Sequence, residues 1–176
     1  MPIVIPAARK ISWGDLRKGI KEVIIAAAPG ARVHNRWGLK YDLMSTIDKL
    51  QAESGPHPIH AWMIKIREVT PQYLKIGAGE VSYPLIIDVW GFMGFEFGND
   101  NSNSQDDFED EVDDVITYLD ANRVPPNVFG LAPEQQKYLK DVRIDENWQL
   151  DIASFGQGYD VHVAKGTITG KVVRIK

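Results

Sequence analysis

Behind Ser12, apolar residues recur at helical spacing: Trp13, Leu16, Ile20, Val23, Ile24 and Ala27. Ser12 is a good N-cap and Pro29-Gly30 a good stop, so a helix is predicted from about Trp13 to Ala28. Ala31, Val33 and Trp37 then alternate with Arg32, His34 and Arg36, the pattern of a half-buried strand. From Tyr41 to Ala52, Leu43, Met44, Ile47 and Leu50 share one helical face, and the run from Ser54 to Pro58 forces a loop. His60 to Val69 alternates again, with Trp62, Ile64 and Ile66 on one side and Lys65 and Arg67 on the other. Gln72 to Ser82, which contains Gly77-Ala-Gly79, is expected to be a loop.

Tyr83 to Phe97 is the most apolar segment. Tyr83, Leu85, Ile87, Val89, Met93 and Phe95 form its core face, and Ile86, Trp90 and Phe92 make the other face apolar as well. A strand apolar on both sides is central in a sheet or covered by a partner. It directly follows the previous strand, which predicts antiparallel neighbours. Gly98 to Gln105 is polar and small, a flexible loop. Asp106 to Ala121 is a third helix, with Phe108, Val112, Val115, Ile116 and Leu119 as its buried stripe and a densely acidic opposite face. Arg123 to Pro126 breaks the chain, and Asn127 to Lys140 is irregular or a short helix. Val142 to Ile152 alternates, with Val142, Ile144, Trp148, Leu150 and Ile152 facing in. Gly156-Gln-Gly158 turns the chain. Val161 and Val163 begin a last strand pair, completed by Thr167 to Ile175.

The order predicts an α+β fold: an antiparallel or mixed β-sheet with helices packed mainly on one face. Residues 1–176 make a single domain, with 97–105 and 123–140 as loops or insertions. A chain of this length builds a core without staples.

The absence of cysteine rules out disulfides, thiolate chemistry and cysteine-built metal sites. The net charge of −4 is the wrong sign for a protein that lives on DNA phosphates. The start, Met1 to Pro6, is too short and proline-rich for a signal peptide, and no run of about 20 apolar residues spans a membrane.

Candidate chemistry is sparse. His57 and His60 stand three apart, but Pro58 between them denies them a common helix. His34 and His162 lie in distant strands; convergence of the histidines with acidic partners is the alternative of a small metal-dependent hydrolase. The acidic run Asp106 to Asp114 lacks the spacing and central glycine of a calcium loop. Its acids near the helix start favour the helix dipole. Gly77-Ala-Gly79 precedes a strand, not the helix that a dinucleotide fingerprint needs. No P-loop, nucleophile elbow or paired metalloprotease histidines occur. The chain is therefore read as an assembly or binding protein, with no catalytic, cofactor or metal residues assigned. A monomeric ligand-binding module is a further alternative.

Two features point to subunit contacts. Arg32, Arg36, Lys65 and Arg67 recur on strands and would make a positive patch if those strands are neighbours. Asp106, Asp110, Asp113 and Asp114 make a negative helix face that pairs with such a patch head-to-tail around a ring. Trp90 and Phe92, opposite the presumed core, are candidates for the same interface.

The order of segments resembles the tail-terminator, or tail-completion, proteins of long-tailed bacteriophages. The likeness rests on the N-terminal helix leading into Val33-His-Asn-Arg-Trp37, the Tyr41–Ala52 helix, the aromatic and basic strand His60 to Arg67, the Tyr83–Glu96 strand, the Asp106–Leu119 helix and the closing strand Asp160 to Val163. The segment Arg123 to Lys140 and the chain after Lys165 fall outside it, which keeps another head–tail connector or neck protein as an alternative. The resemblance implies a homo-oligomeric ring, commonly a hexamer, that caps the tail tube, stops its polymerisation and joins it to the head connector. It implies the tail-tube protein and the connector and neck proteins as partners, with the tail sheath a further candidate. DNA would pass through an acidic lumen without being bound. The expected location is the virion neck or tail, and the host cytoplasm during assembly.

Overall fold

The structure is a computed structural model that describes residues 11–35, 49–55, 57–67, 74–77, 80–96, 101–154 and 159–175. Arg36, Trp37 and most of the predicted Tyr41–Ala52 helix lie outside the described residues; Lys49 and Leu50 are helical. The architecture is α+β, a mixed sheet with helices.

Helix α1 runs Trp13–Ala27. The Ser12 hydroxyl caps it by accepting the Asp15 backbone N–H at 3.2 Å. Leu16, Ile20, Ile24 and Ala27 form the buried stripe that the periodicity predicts. The chain leaves the helix through Gly30, whose φ of +91° suits glycine. A Cβ there would also meet the Ser54 carbonyl oxygen at 2.7 Å.

Among the described residues, seven strands form one sheet: β1 (Arg32–His34), β2 (Ile59–Ile66), β3 (Leu74–Gly77), β4 (Glu80–Glu96), β5 (Leu139–Ile144), β6 (Gln149–Ser154) and β7 (Tyr159–Ile175). β1 pairs with β2 in parallel, and the other pairings are antiparallel. β4 and β7 are each 17 residues long and pair in register throughout, from Glu80↔Ile175 to Glu96↔Tyr159. At the strand rise this ribbon is about 55 Å long. β2 and β3 line the far edge of β4; β5 and β6 line the far edge of β7.

Residues 74–77 are a strand hydrogen-bonded to the start of β4, not part of a loop. The expected last strand pair is one continuous strand, β7. Gly166 does not interrupt it, because the Trp148 ring packs where a Cβ would stand. The stretch Val142 to Ile152 is two strands, divided at 145–148, and Leu150 and Ile152 are about half exposed rather than buried. They lie on an edge strand beside Gln105 and Glu109 of the next helix, which covers them only in part.

Helix α2 runs Asn101–Ala121 and so begins inside the expected loop. Ser104 supplies the reason: it is buried and within 3.2 Å of His162 Nε2, which seats the first turns on the sheet. The acidic run therefore starts beyond the first turn, and the expected dipole benefit at the helix start is absent. Between α2 and β5 lie a 3₁₀ turn (Val128–Gly130) and the short helix α3 (Pro133–Gln136). Val128, Phe129, Leu131 and Tyr138 from this segment enter the main core. The segment packs under α1, where Phe129 lies against Gly19.

The main core lies between α1, α2 and one sheet face, where Trp62, Ile64, Leu85, Ile87, Val89, Met93, Ala164 and Ile168 point. A second cluster on the other sheet face joins Leu50, Ile59, Ala61, Met63, Phe92, Val161 and Val163.

Candidate subunit interface

Strand parity decides what each sheet face carries. On β2, His60, Trp62, Ile64 and Ile66 face the helices, and Lys65 faces away. Its register partners Asp88 and Thr167 share its face. Trp90, Lys165, Thr169 and Lys171 lie on that same outer face.

β5 adds two further cations through a break in its pattern. Lys140 is opposite Lys171, and Arg143 opposite Thr169, with a register shift between. Residues three apart on a regular strand face opposite ways. The bulge at Asp141 (φ 53°) inserts one extra residue and puts both cations on the outer face. The outer sheet face thus carries Lys65, Arg67, Lys140, Arg143, Lys165 and Lys171.

Some of this charge is tied down within the subunit. Arg67 holds Asp88 in a bidentate pair, Nε to Oδ2 at 2.7 Å and Nη2 to Oδ1 at 2.6 Å. That hydrogen bonding raises the Arg67 pKa. Lys171 Nζ donates to Asp141 Oδ2 at 2.8 Å, and this bond holds the Asp141 carboxyl below the usual range, with Lys171, Arg143 and Lys140 adding their field. The Lys165 ammonium lies 4.8 Å from the centre of the Trp90 ring. Lys140 directly across from Lys171 remains a like-charge pair, which is unfavourable in a sheet.

The opposite surface of the molecule is the outer side of α2. This helix carries Asp106, Asp107, Glu109, Asp110, Glu111, Asp113, Asp114 and Asp120, and no lysine or arginine. All but Glu111 are exposed. The spacing makes like-charge pairs at i,i+4, such as Asp106 with Asp110 and Asp110 with Asp114, each unfavourable by about 0.2–0.5 kcal/mol.

Glu111 turns inward instead. His60 Nε2 lies 2.7 and 2.9 Å from its two oxygens, and the Trp62 indole N–H donates to Oε1 at 2.8 Å. His57 stands nearby, 3.9 Å from Asp107 and 6.3 Å from the His60 ring. His162 lies between Phe95 and Phe108. Burial lowers the pKa of both His57 and His162, partly opposed by nearby carboxylates. Three of the four histidines therefore gather under α2. His34 is apart, bonded through Nε2 to the Lys49 carbonyl at 2.7 Å. Among the described residues no group of three or more histidines and acids is placed to hold a metal ion.

The expected interface residues divide as follows. Asp106, Asp110, Asp113 and Asp114 are exposed together on α2. Lys65 and Arg67 lie on the outer sheet face, and so does the half-buried Arg32, opposite Ala61 on β1. Arg36 lies outside the described residues. Phe92 is 3% exposed and belongs to the second core cluster, which corrects its assignment as an interface residue. Trp90 is half-buried beside it. Sequence reasoning missed Lys140, Arg143, Lys165 and Lys171, because their shared face depends on strand order and on the bulge. The sequence matches no protein-family model and no curated protein.

Proposed function

We propose that this chain is a structural subunit of a phage neck or tail, closing into a ring that caps the tail tube and joins it to the head connector. The observation that carries the reading is the opposite charge of the two outer layers: carboxylates on α2, cations on the far face of the sheet. Two different, mutually attractive surfaces on one chain favour head-to-tail contacts, and such contacts close into rings when the rotation allows. The phage assignment comes from the resemblance in segment order, and a related connector or neck protein fits the same observation.

Native mass and negative-stain images, with and without tail-tube protein, test it. The expected result is a ring, with a hexamer the leading size, and shorter tubes when the protein is present during tube assembly. A monomer that leaves tube length unchanged overturns the reading.

A further inference from the structure

We infer that the acidic face of α2 in one copy seats on the outer sheet face of the next copy, centred on Lys140, Lys171 and Arg143 rather than on the β1–β2 arginines. This rests on the ring reading above and names its contact.

Three observations converge on it. First, the occupant is on the chain itself: α2 offers seven exposed carboxylates with no intervening cation. Second, the dimensions match. Asp106 to Asp120 spans about 21 Å along a helix, and Lys165 to Lys171 spans about 20 Å along a strand. Third, both surfaces carry repulsion that the contact relieves. Lys140 faces Lys171 across the β5–β7 pairing, and the α2 acids repel one another along their helix. The bulge at Asp141 places Arg143 on the same side, so the cations lie on two neighbouring strands, about 5 Å apart. Arg67 is held within the subunit by two bonds to Asp88 and Lys171 by one bond to Asp141, so the doubly bonded Arg67 contributes less.

The geometry is heterologous, so a charge swap tests it directly. One variant carries Lys140→Glu and Lys171→Glu; the other carries Asp110→Lys and Asp113→Lys. These side chains are exposed, and circular dichroism checks that both variants fold. Each variant alone should assemble at least 100-fold more weakly than the parent, read by native mass across a dilution series. An equimolar mixture should restore rings containing both variants in equal amounts, because the reversed sheet of one meets the reversed helix of the other. Added salt should weaken the parent ring.

Parent rings together with variants that assemble normally overturn this contact and leave the ring reading standing. A mixture that stays dissociated overturns it too. A parent chain that is monomeric both alone and on tubes overturns both. Retention of duplex DNA at physiological salt, lost in the Lys140→Glu/Lys171→Glu variant while its ring persists, assigns the patch to nucleic acid and overturns the contact.

Discussion

Glu111 is one of the points at which α2 is anchored to the sheet by polar bonds, and Glu111→Ala measures what that anchor contributes. The carboxylate accepts from His60 at 2.7 and 2.9 Å and from the Trp62 indole at 2.8 Å. Trp62 is 0% exposed and His60 5% exposed, so water does not replace the lost acceptor without opening the helix–sheet seam. A buried donor left without a partner costs about 1–3 kcal/mol. Two such donors give about 2–6 kcal/mol, a range that contains the roughly 3–5 kcal/mol cost of breaking a buried charged pair. Urea unfolding followed by tryptophan fluorescence, at fixed protein concentration, reads this directly. With an m-value of about 2–3 kcal/mol/M, the midpoint should fall by about 1–2 M. Glu111→Gln keeps one carbonyl acceptor for Trp62 and loses the charge, so it should fall between. A loss below about 1 kcal/mol for the alanine variant would refute the reasoning, because it would mean that water already reaches these groups.

Two other perturbations have definite signs. Gly166→Ala should destabilise by about 1–3 kcal/mol, because the Trp148 ring occupies the space of the added methyl; an unchanged melting temperature would show that Trp148 is not seated there. His57 and His162 have folded-state pKa values lowered by burial, so the unfolded chain binds more protons. Their contribution to stability is present above the ordinary imidazole pKa and lost as pH falls through the folded value. Unfolding midpoints should therefore drop on acidification from pH 7 to pH 5, and His162→Gln should flatten the slope; an equal slope in parent and variant would remove His162 from the account.

How much was legible in the sequence follows from what each inference needed. Local periodicity placed α1 almost to the residue, because its cap, stripe and stop are all contiguous signals. The same reasoning found both faces of β2 and of the core of β4. It failed where the determinant is a tertiary neighbour. The stretch from Val161 to Ile175 reads as a strand pair, yet Trp148 fills the space over Gly166 and one strand runs on. Ser104 looked like loop, yet its contact with His162 lies 58 residues away in sequence. Leu150 and Ile152 alternate like core residues but stand on the outermost strand. The basic surface was placed only in part: Lys65 and Arg67 follow from parity, whereas Lys140 and Arg143 share a face only through the bulge at Asp141.

The anchor and the charged surface belong to one argument. Seven exposed carboxylates on a helix repel one another, and helix propensity alone holds such a segment weakly. α2 is held by Phe108, Val112, Val115 and Leu119 in the core, by Ser104 at His162, and by Glu111 at His60 and Trp62. These contacts fix its rotation about its own axis, and so fix which carboxylates face outward. A contact made by charge alone gains affinity from such preorganisation, since less conformational freedom is lost on binding. Loosening the anchor should therefore weaken assembly even though Glu111 itself faces inward. At a urea-free condition where Glu111→Gln remains folded, its rings should dissociate at higher protein concentration than those of the parent. Equal dissociation would separate the two roles and leave Glu111 with a purely internal one.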